Sequence, residues 1–318
     1  MNGRRLSRSV SDMIEIEHLT KRYGKKTAVD DLTFNVKPGV VTGFLGPNGA
    51  GKSTTMRAIV GLDAPTGGLA RVNGKHYSEF RSPLTEVGAL LEAKSVHAGR
   101  SAYKHLLGLA RTHGIPKRRV TEVIDLVGLH EVAGKRVGGF SLGMGQRLGI
   151  AVALLGDPAV LILDEPVNGL DPDGVKWIRL LLKGLAAEGR TVFLSSHLMS
   201  ELAQTAEQLI VIGQGKLLAD TTVEDFVSGN GKSHVRVVSP DAAQLAEHLT
   251  GPGISISSPE KGVLEVTGTE AAVVGQAAAA HNLVLHELHT VRGSLEDAFM
   301  QLTADAVEYH QTTEGANR

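Results

Sequence analysis

The chain has 318 residues with a formal net charge of −1, 42% hydrophobic and 21% charged residues, and no cysteine. That length supports one ample core plus a smaller unit, and the composition excludes a disordered chain, disulfide staples, cysteine-held metals and a thiol nucleophile. No apolar run approaches the roughly 18 residues of a spanning helix, so the chain is not expected to cross a bilayer.

Residues 1–12 (MNGRRLSRSVSD) are basic and polar with no apolar h-region, so they read as a tail rather than a secretory signal. Met13 opens the first strand-like run and is a candidate start of translation. Runs 14–19, 32–36 and 40–45 read as strands, the last leading into a glycine-rich turn, and 54–60 reads as a helix. Further strands are expected at 70–72 and 87–91. From 101 to 132 the texture changes: Leu106, Leu107, Leu109 and Ala110, then Val120, Val123, Ile124 and Val127, recur at helical spacing. This predicts an inserted helical block, continued by an apolar helix at 142–155 that stops at Gly156-Asp157-Pro158.

Continuous apolar strands at 160–163 and 191–194, with a helix at 175–188 between them, are what a parallel sheet covered on both faces requires. A closing hairpin at 206–212 and 216–219 turns on Gly213-Gln214-Gly215. Ser228-Gly229-Asn230-Gly231 then marks a boundary. Beyond it, strands at 234–238, 254–257 and 263–267 and helices at 242–249 and 270–281 predict a small α+β unit of about 90 residues. Aromatics are only 4% of the chain, so Leu, Val, Ile and Ala are expected to fill the core. Residues 220–318 carry 5 Lys+Arg and 14 Asp+Glu, a net of −9, which leaves +8 on residues 1–219. A basic first part suits polyphosphate, and the acidic end argues against broad nucleic-acid contact.

Gly46-Pro47-Asn48-Gly49-Ala50-Gly51-Lys52-Ser53 fits G-x-x-x-x-G-K-S after a strand and before a helix, with Thr54 next along. Glycines let successive N–H groups curl inward as an anion nest at a helix N-terminus. Lys52 is placed to reach the β- and γ-phosphates of a nucleotide, and Ser53 to ligate Mg2+. At the end of strand 160–163, Asp164 and Glu165 stand where an open parallel sheet binds ligands. Two carboxylates there need a cation or polar site to offset desolvation. Asp164 suits the metal shell, and Glu165 suits orienting or deprotonating a water.

Together with Phe140-Ser141-Leu142-Gly143-Met144-Gly145-Gln146-Arg147, which looks like the ABC signature, these motifs make residues 13–222 resemble the nucleotide-binding subunits of ABC transporters. Tyr23 falls where an aromatic stacks on adenine. Glu92 occupies the Q-loop position, Asn168-Gly169-Leu170-Asp171 resembles the D-loop, and His197 resembles the switch histidine. The signature departs from its usual form, with Leu142 for glycine and Met144 for glutamine, but keeps Ser141 and Gly143. Glu92 replaces the usual glutamine and can still bind metal or water through its carboxylate. These departures, and Gly293-Ser294-Leu295-Glu296-Asp297-Ala298-Phe299 near the end, are similar to the drug-exporter branch of bacitracin- and daunorubicin-type resistance subunits.

The resemblance implies an α/β P-loop NTPase with an ABC-type β-subdomain, a parallel-sheet core and an inserted helical subdomain at about 93–155, followed by an accessory α+β domain at 223–318. It implies a head-to-tail dimer, either of identical chains or with a paired ABC subunit. ATP with Mg2+ sits on Lys52, Ser53 and the nest of one copy and is closed over by Ser141 and Gly143 of the other, with Asp171 nearby. The resemblance likewise implies that Glu165 would act as general base or water orienter and His197 would stabilise the γ-phosphate. The implied partner is a separately encoded membrane-spanning permease at the cytoplasmic face of the plasma membrane, with no nucleic acid. ABC ATPases acting on ribosomes usually carry two cassettes, and DNA-repair types insert long coiled coils. Here one cassette exists, and Lys52 and Ser141 lie only 89 positions apart.

Overall fold

The computed structural model describes residues 13–92, 96–230, 233–291 and 293–303, so the reading of residues 1–12 as a tail lies outside the described residues. The chain divides into two compact units, one running to Val223 and the other starting at Glu224.

In the first unit, β1 (Ile14–Tyr23) pairs antiparallel with β2 (Lys26–Val36) on one side and β4 (Gly67–Val72) on the other. Both β1 and β2 outrun the strands read from sequence. Most of their added residues are half-buried or exposed, Val29 being the one buried in the core, and the pairs Arg22↔Thr27 and Tyr23↔Lys26 carry the ribbon past it. That extension is what positions Tyr23.

The second sheet has the order β5-β6-β7-β3-β8-β9, from β3 (Val41–Leu45), β5 (Val87–Leu90), β6 (Val160–Leu163), β7 (Thr191–Ser195), β8 (Gln208–Gly213) and β9 (Lys216–Thr222). The first five run parallel and β9 is antiparallel. Every residue of β3, β6 and β7 is buried, as expected of strands covered on both faces. Only β7 separates β3 from β6, so the carboxyl ends of three adjacent strands carry the Gly46 turn, Asp164-Glu165 and Ser195-Ser196-His197 side by side. Phe34, Phe44 and Phe193 meet with ring centroids 5.0–5.9 Å apart and lock the two sheets together. The core is therefore not purely aliphatic: three of the seven phenylalanines sit at its centre.

Helix α1 (Lys52–Ile59) follows β3, and a single turn, α2 (Pro83–Glu86), precedes β5. The helical block comprises α3 (Ala102–Thr112), α4 (Lys117–Leu126) and α5 (Leu142–Leu154). Helix α6 (Pro172–Ala187) starts three residues earlier than its periodicity suggests, because Asp171 caps it and Pro172 suits the first position. A short α7 (Met199–Thr205) precedes β8.

In the second unit, β10 (His234–Val238), β11 (Ser255–Ser257), β12 (Val263–Thr267) and β13 (Glu287–Val291) form an antiparallel sheet of order β11-β12-β10-β13. Helices α9 (Ala242–His248) and α10 (Ala271–Ala280) each join strands that flank a third, a split βαβ arrangement. Val235, Val237, Leu245, Leu264, Val266 and Val274 pack as its core. Helices α8 (Val223–Asn230) and α11 (Leu295–Thr303) open and close the segment.

Candidate functional site

Gly49 (φ 80°) and Gly51 (φ 107°) take left-handed backbone in the loop between β3 and α1. A Cβ on Gly51 would also come within 2.6 Å of the Ala28 carbonyl oxygen, so no other residue fits there. Helix α1 has no acidic residue in its first turn and no side-chain cap, leaving its amide donors and positive dipole end to the loop. Ala50 braces the loop: its side chain is buried in the core, its N–H donates to Pro47 O (3.1 Å), and its carbonyl accepts from Gly215 N (3.0 Å). Lys52 Nζ donates to Gly46 O (2.5 Å) and Pro47 O (3.1 Å). Burial lowers the Lys52 pKa, and the nearby Glu165 and Asp164 carboxylates partly oppose that.

The strand ends are tied into one network. Asp164 accepts from Ser53 Oγ at Oδ2 (2.7 Å) and from the buried Ser195 hydroxyl at Oδ1. Ser195 Oγ in turn accepts from Glu165 N–H (3.0 Å). Glu165 sits at φ 52°, a left-handed conformation uncommon for a residue of its kind and often found at functional sites. The buried Gln146 of α5 steadies it by donating to Glu165 O (3.0 Å). At its other end, Glu165 Oε2 accepts from His197 N–H (3.1 Å) and pairs with His197 Nδ1 at 2.6 Å. Tyr23, Asn48, Gly49, Gly51, Lys52, Ser53, Thr54, Asp164 and Glu165 line one cleft of about 410 Å³, with His197 held to it through Glu165.

The remaining candidates lie apart. Glu92 lines a neighbouring cavity of about 320 Å³ with Arg57, His105 and Gly149, not the cleft that holds Lys52. Ser141 caps α5 by accepting from Met144 N–H (3.2 Å) and lines a third cleft with Phe140, Leu142 and Gly145. Gly143 abuts Gly169: a Cβ on the former would reach the Gly169 carbonyl at 2.8 Å. A Cβ on Gly169 would strike Leu142 Cγ at 2.3 Å, so the bulky Leu142 is matched by a bare residue opposite. Asp171 Oδ1 accepts from Gly174 N–H (3.0 Å) as the α6 cap. Ser195, Gln146 and Asp63, which accepts from the Tyr23 hydroxyl (2.8 Å), were not singled out from sequence. Gln146 left a trace there, as a lone amide inside an apolar helix.

A model of the ABC transporter family matches residues 29–168. An ABC transporter ATP-binding protein of Bacillus subtilis, YhcH, is 36% identical over 301 residues, covering 93% of this chain and 97% of its own. The chain belongs to the ABC transporter ATP-binding family. The bacitracin transport ATP-binding protein BcrA of Bacillus licheniformis is 44% identical over 226 residues, spanning 70% of this ABC subunit and 74% of its own length. A solved ATP-binding subunit of an ABC transporter, 26% identical, superposes with a TM-score of 0.63 over 68% of this chain and 92% of the other. A second model, of a domain of unknown function, matches residues 233–296. This ABC subunit thus has the P-loop NTPase fold of an ATPase cassette, and among its described residues no helix is long and apolar enough to cross a membrane.

Proposed function

We propose that this ABC subunit hydrolyses ATP between two opposed cassettes and so drives an exporter of the bacitracin-transport type through a separate membrane-spanning permease. What carries this reading is the separation of two half-sites within one cassette. Lys52, Ser53, Asp164 and Glu165 share one cleft, while Ser141 lines another. A second cassette, identical or a paired ABC subunit, brings its Ser141 and Gly143 over the first one's nucleotide. Residues 13–222 act as the ATP-binding domain, with the helical part at about 93–155, and 223–318 as an accessory domain.

Tyr23 is the adenine platform, and the loop amides with Lys52 and Thr54 hold the phosphates. Ser53 and Asp164 are hard oxygen donors in mutual contact, and among the described residues no cluster of three or more acidic, His or Cys side chains forms a cage. That fits Mg2+, which keeps waters and substrate phosphates as most of its ligands. When bound, it neutralises charge on the phosphates. Glu165 then orients or deprotonates the attacking water, with His197 fixing its carboxylate and facing the γ-phosphate; Asp171 stands at the opposing edge. ATP binds the closed pair better than the open one, and that population shift is the work stroke, passed through the Glu92 cavity and helical block to the permease at the cytoplasmic face of the membrane. Glu165→Gln should cut phosphate release by roughly 10²–10⁴, the range for a general base, while ATP affinity is retained. Undiminished turnover in that variant removes Glu165 from the role.

A further inference from the structure

The turn after α1 is stitched to the end of β1 by a set of contacts that the phosphate chemistry does not use. Thr66 N–H donates to Thr20 O (2.7 Å), Arg22 N–H to Thr66 Oγ1 (3.0 Å), and Lys21 Nζ to Ala64 O (2.7 Å). Within this seam Asp63 Oδ2 accepts both the Tyr23 hydroxyl (2.8 Å) and Arg57 Nε (2.7 Å). Asp63 is largely covered, with its side chain 16% exposed, whereas Tyr23 is 48% exposed. The Lys21 ammonium, held by Ala64, lies 4.9 Å from the Tyr23 ring centroid.

An exposed tyrosine at a ribbon tip normally samples several rotamers, and freezing one on binding weakens affinity. Here the hydroxyl is tied down and a cation stacks on the ring, while Tyr23 still lines the phosphate cleft. Hydrogen bonds from Arg57, chiefly, and from Tyr23 lower the Asp63 pKa further from neutrality, consistent with a carboxylate that accepts both.

We propose that Asp63 is a positioning residue that pre-sets the Tyr23 ring for the nucleobase, with Arg57 anchoring Asp63 and Lys21 backing the ring. This rests on Tyr23 being the base platform. Because Arg57 lies on the helix that begins at Lys52, the pin fixes the spacing between base platform and phosphate loop.

The test compares Tyr23→Phe, Asp63→Ala, Tyr23→Ala and wild type in the full chain, measuring ATP and inorganic tripolyphosphate affinity by calorimetry, and KM and kcat for ATP. Tyr23→Phe and Asp63→Ala should each weaken ATP by about three- to fivefold, appearing in KM with kcat held, as expected when a ring must be re-frozen on binding. The Tyr23→Phe/Asp63→Ala double variant, measured alongside, should be no worse than either single one, and tripolyphosphate affinity should not move. If Tyr23→Ala leaves ATP affinity unchanged, the platform reading falls and the pin with it. If Tyr23→Ala weakens ATP but Tyr23→Phe and Asp63→Ala do not, the pin alone is refuted. Equal losses for ATP and tripolyphosphate also refute it, since they indicate general damage to the loop.

Discussion

Ser195→Ala is the most informative single change in the phosphate site, because one hydroxyl serves two partners there. It donates to Asp164 Oδ1 and accepts Glu165 N–H at 3.0 Å, in a residue with no exposed surface. Removing it leaves the Glu165 N–H unpaired, at about 1–3 kcal/mol, and strips Asp164 of one of its two hydroxyl donors. The loss also loosens Glu165, whose left-handed backbone costs about 1–3 kcal/mol and persists only because its surroundings hold it. A combined penalty of about 2–3 kcal/mol lowers the melting temperature of a unit this size by roughly 4–12 °C. Misplacing the Glu165 carboxylate slows turnover by about tenfold or more, since each 1.4 kcal/mol is tenfold. Lys52 and the loop amides are untouched, so ATP affinity should hold. Differential scanning fluorimetry and a phosphate-release assay on the same preparation read both effects. A melting temperature within about 1 °C of wild type, with turnover intact, refutes the network as drawn.

Two further changes probe other links. Gly143→Ala drives a Cβ to 2.8 Å from the Gly169 carbonyl, so it should shift that loop and weaken ATP-driven pairing, read by light scattering, while monomer ATP affinity is retained. His105 Nδ1 is buried with no partner among the described atoms, and burial, followed by the nearby Arg100 charge, lowers its pKa from 6.5. A histidine with a depressed folded pKa binds fewer protons folded than unfolded, so its share of stability falls as pH drops below about 6.5. His105→Leu should therefore flatten the decline in melting temperature between about pH 6.5 and 5; an unchanged decline contradicts the assignment.

The parallel core was legible because covered strands such as 160–163 and 191–194 are unbroken apolar runs. The glycine-rich turn between β3 and α1 was legible because its glycines serve a local backbone need, met at Gly49 and Gly51. What escaped depends on distant partners. Ser195 acquires meaning only beside Asp164, 31 positions away, and Asp63 only beside Tyr23, 40 away. Strand β13 (ELHTV) is an edge strand with two apolar residues in five, so its extended state comes from pairing with β10 rather than from its own pattern. Helix α7, seven residues long, is too short for helical periodicity to register. The outer halves of β1 and β2 escaped likewise, since Val29 is their one fully buried residue and a single apolar anchor makes no hydrophobic alternation to find.

The central claim is that nucleotide is clasped between two cassettes, each supplying what its partner lacks. Its most direct measurement is the mass of purified Glu165→Gln chain by size-exclusion chromatography with light scattering, with and without Mg-ATP. The account predicts a monomer without nucleotide and a dimer with ATP, reverting when Ser141 is also changed to Arg. A Glu165→Gln chain that binds ATP yet stays monomeric, alone and with any paired ABC subunit, contradicts it.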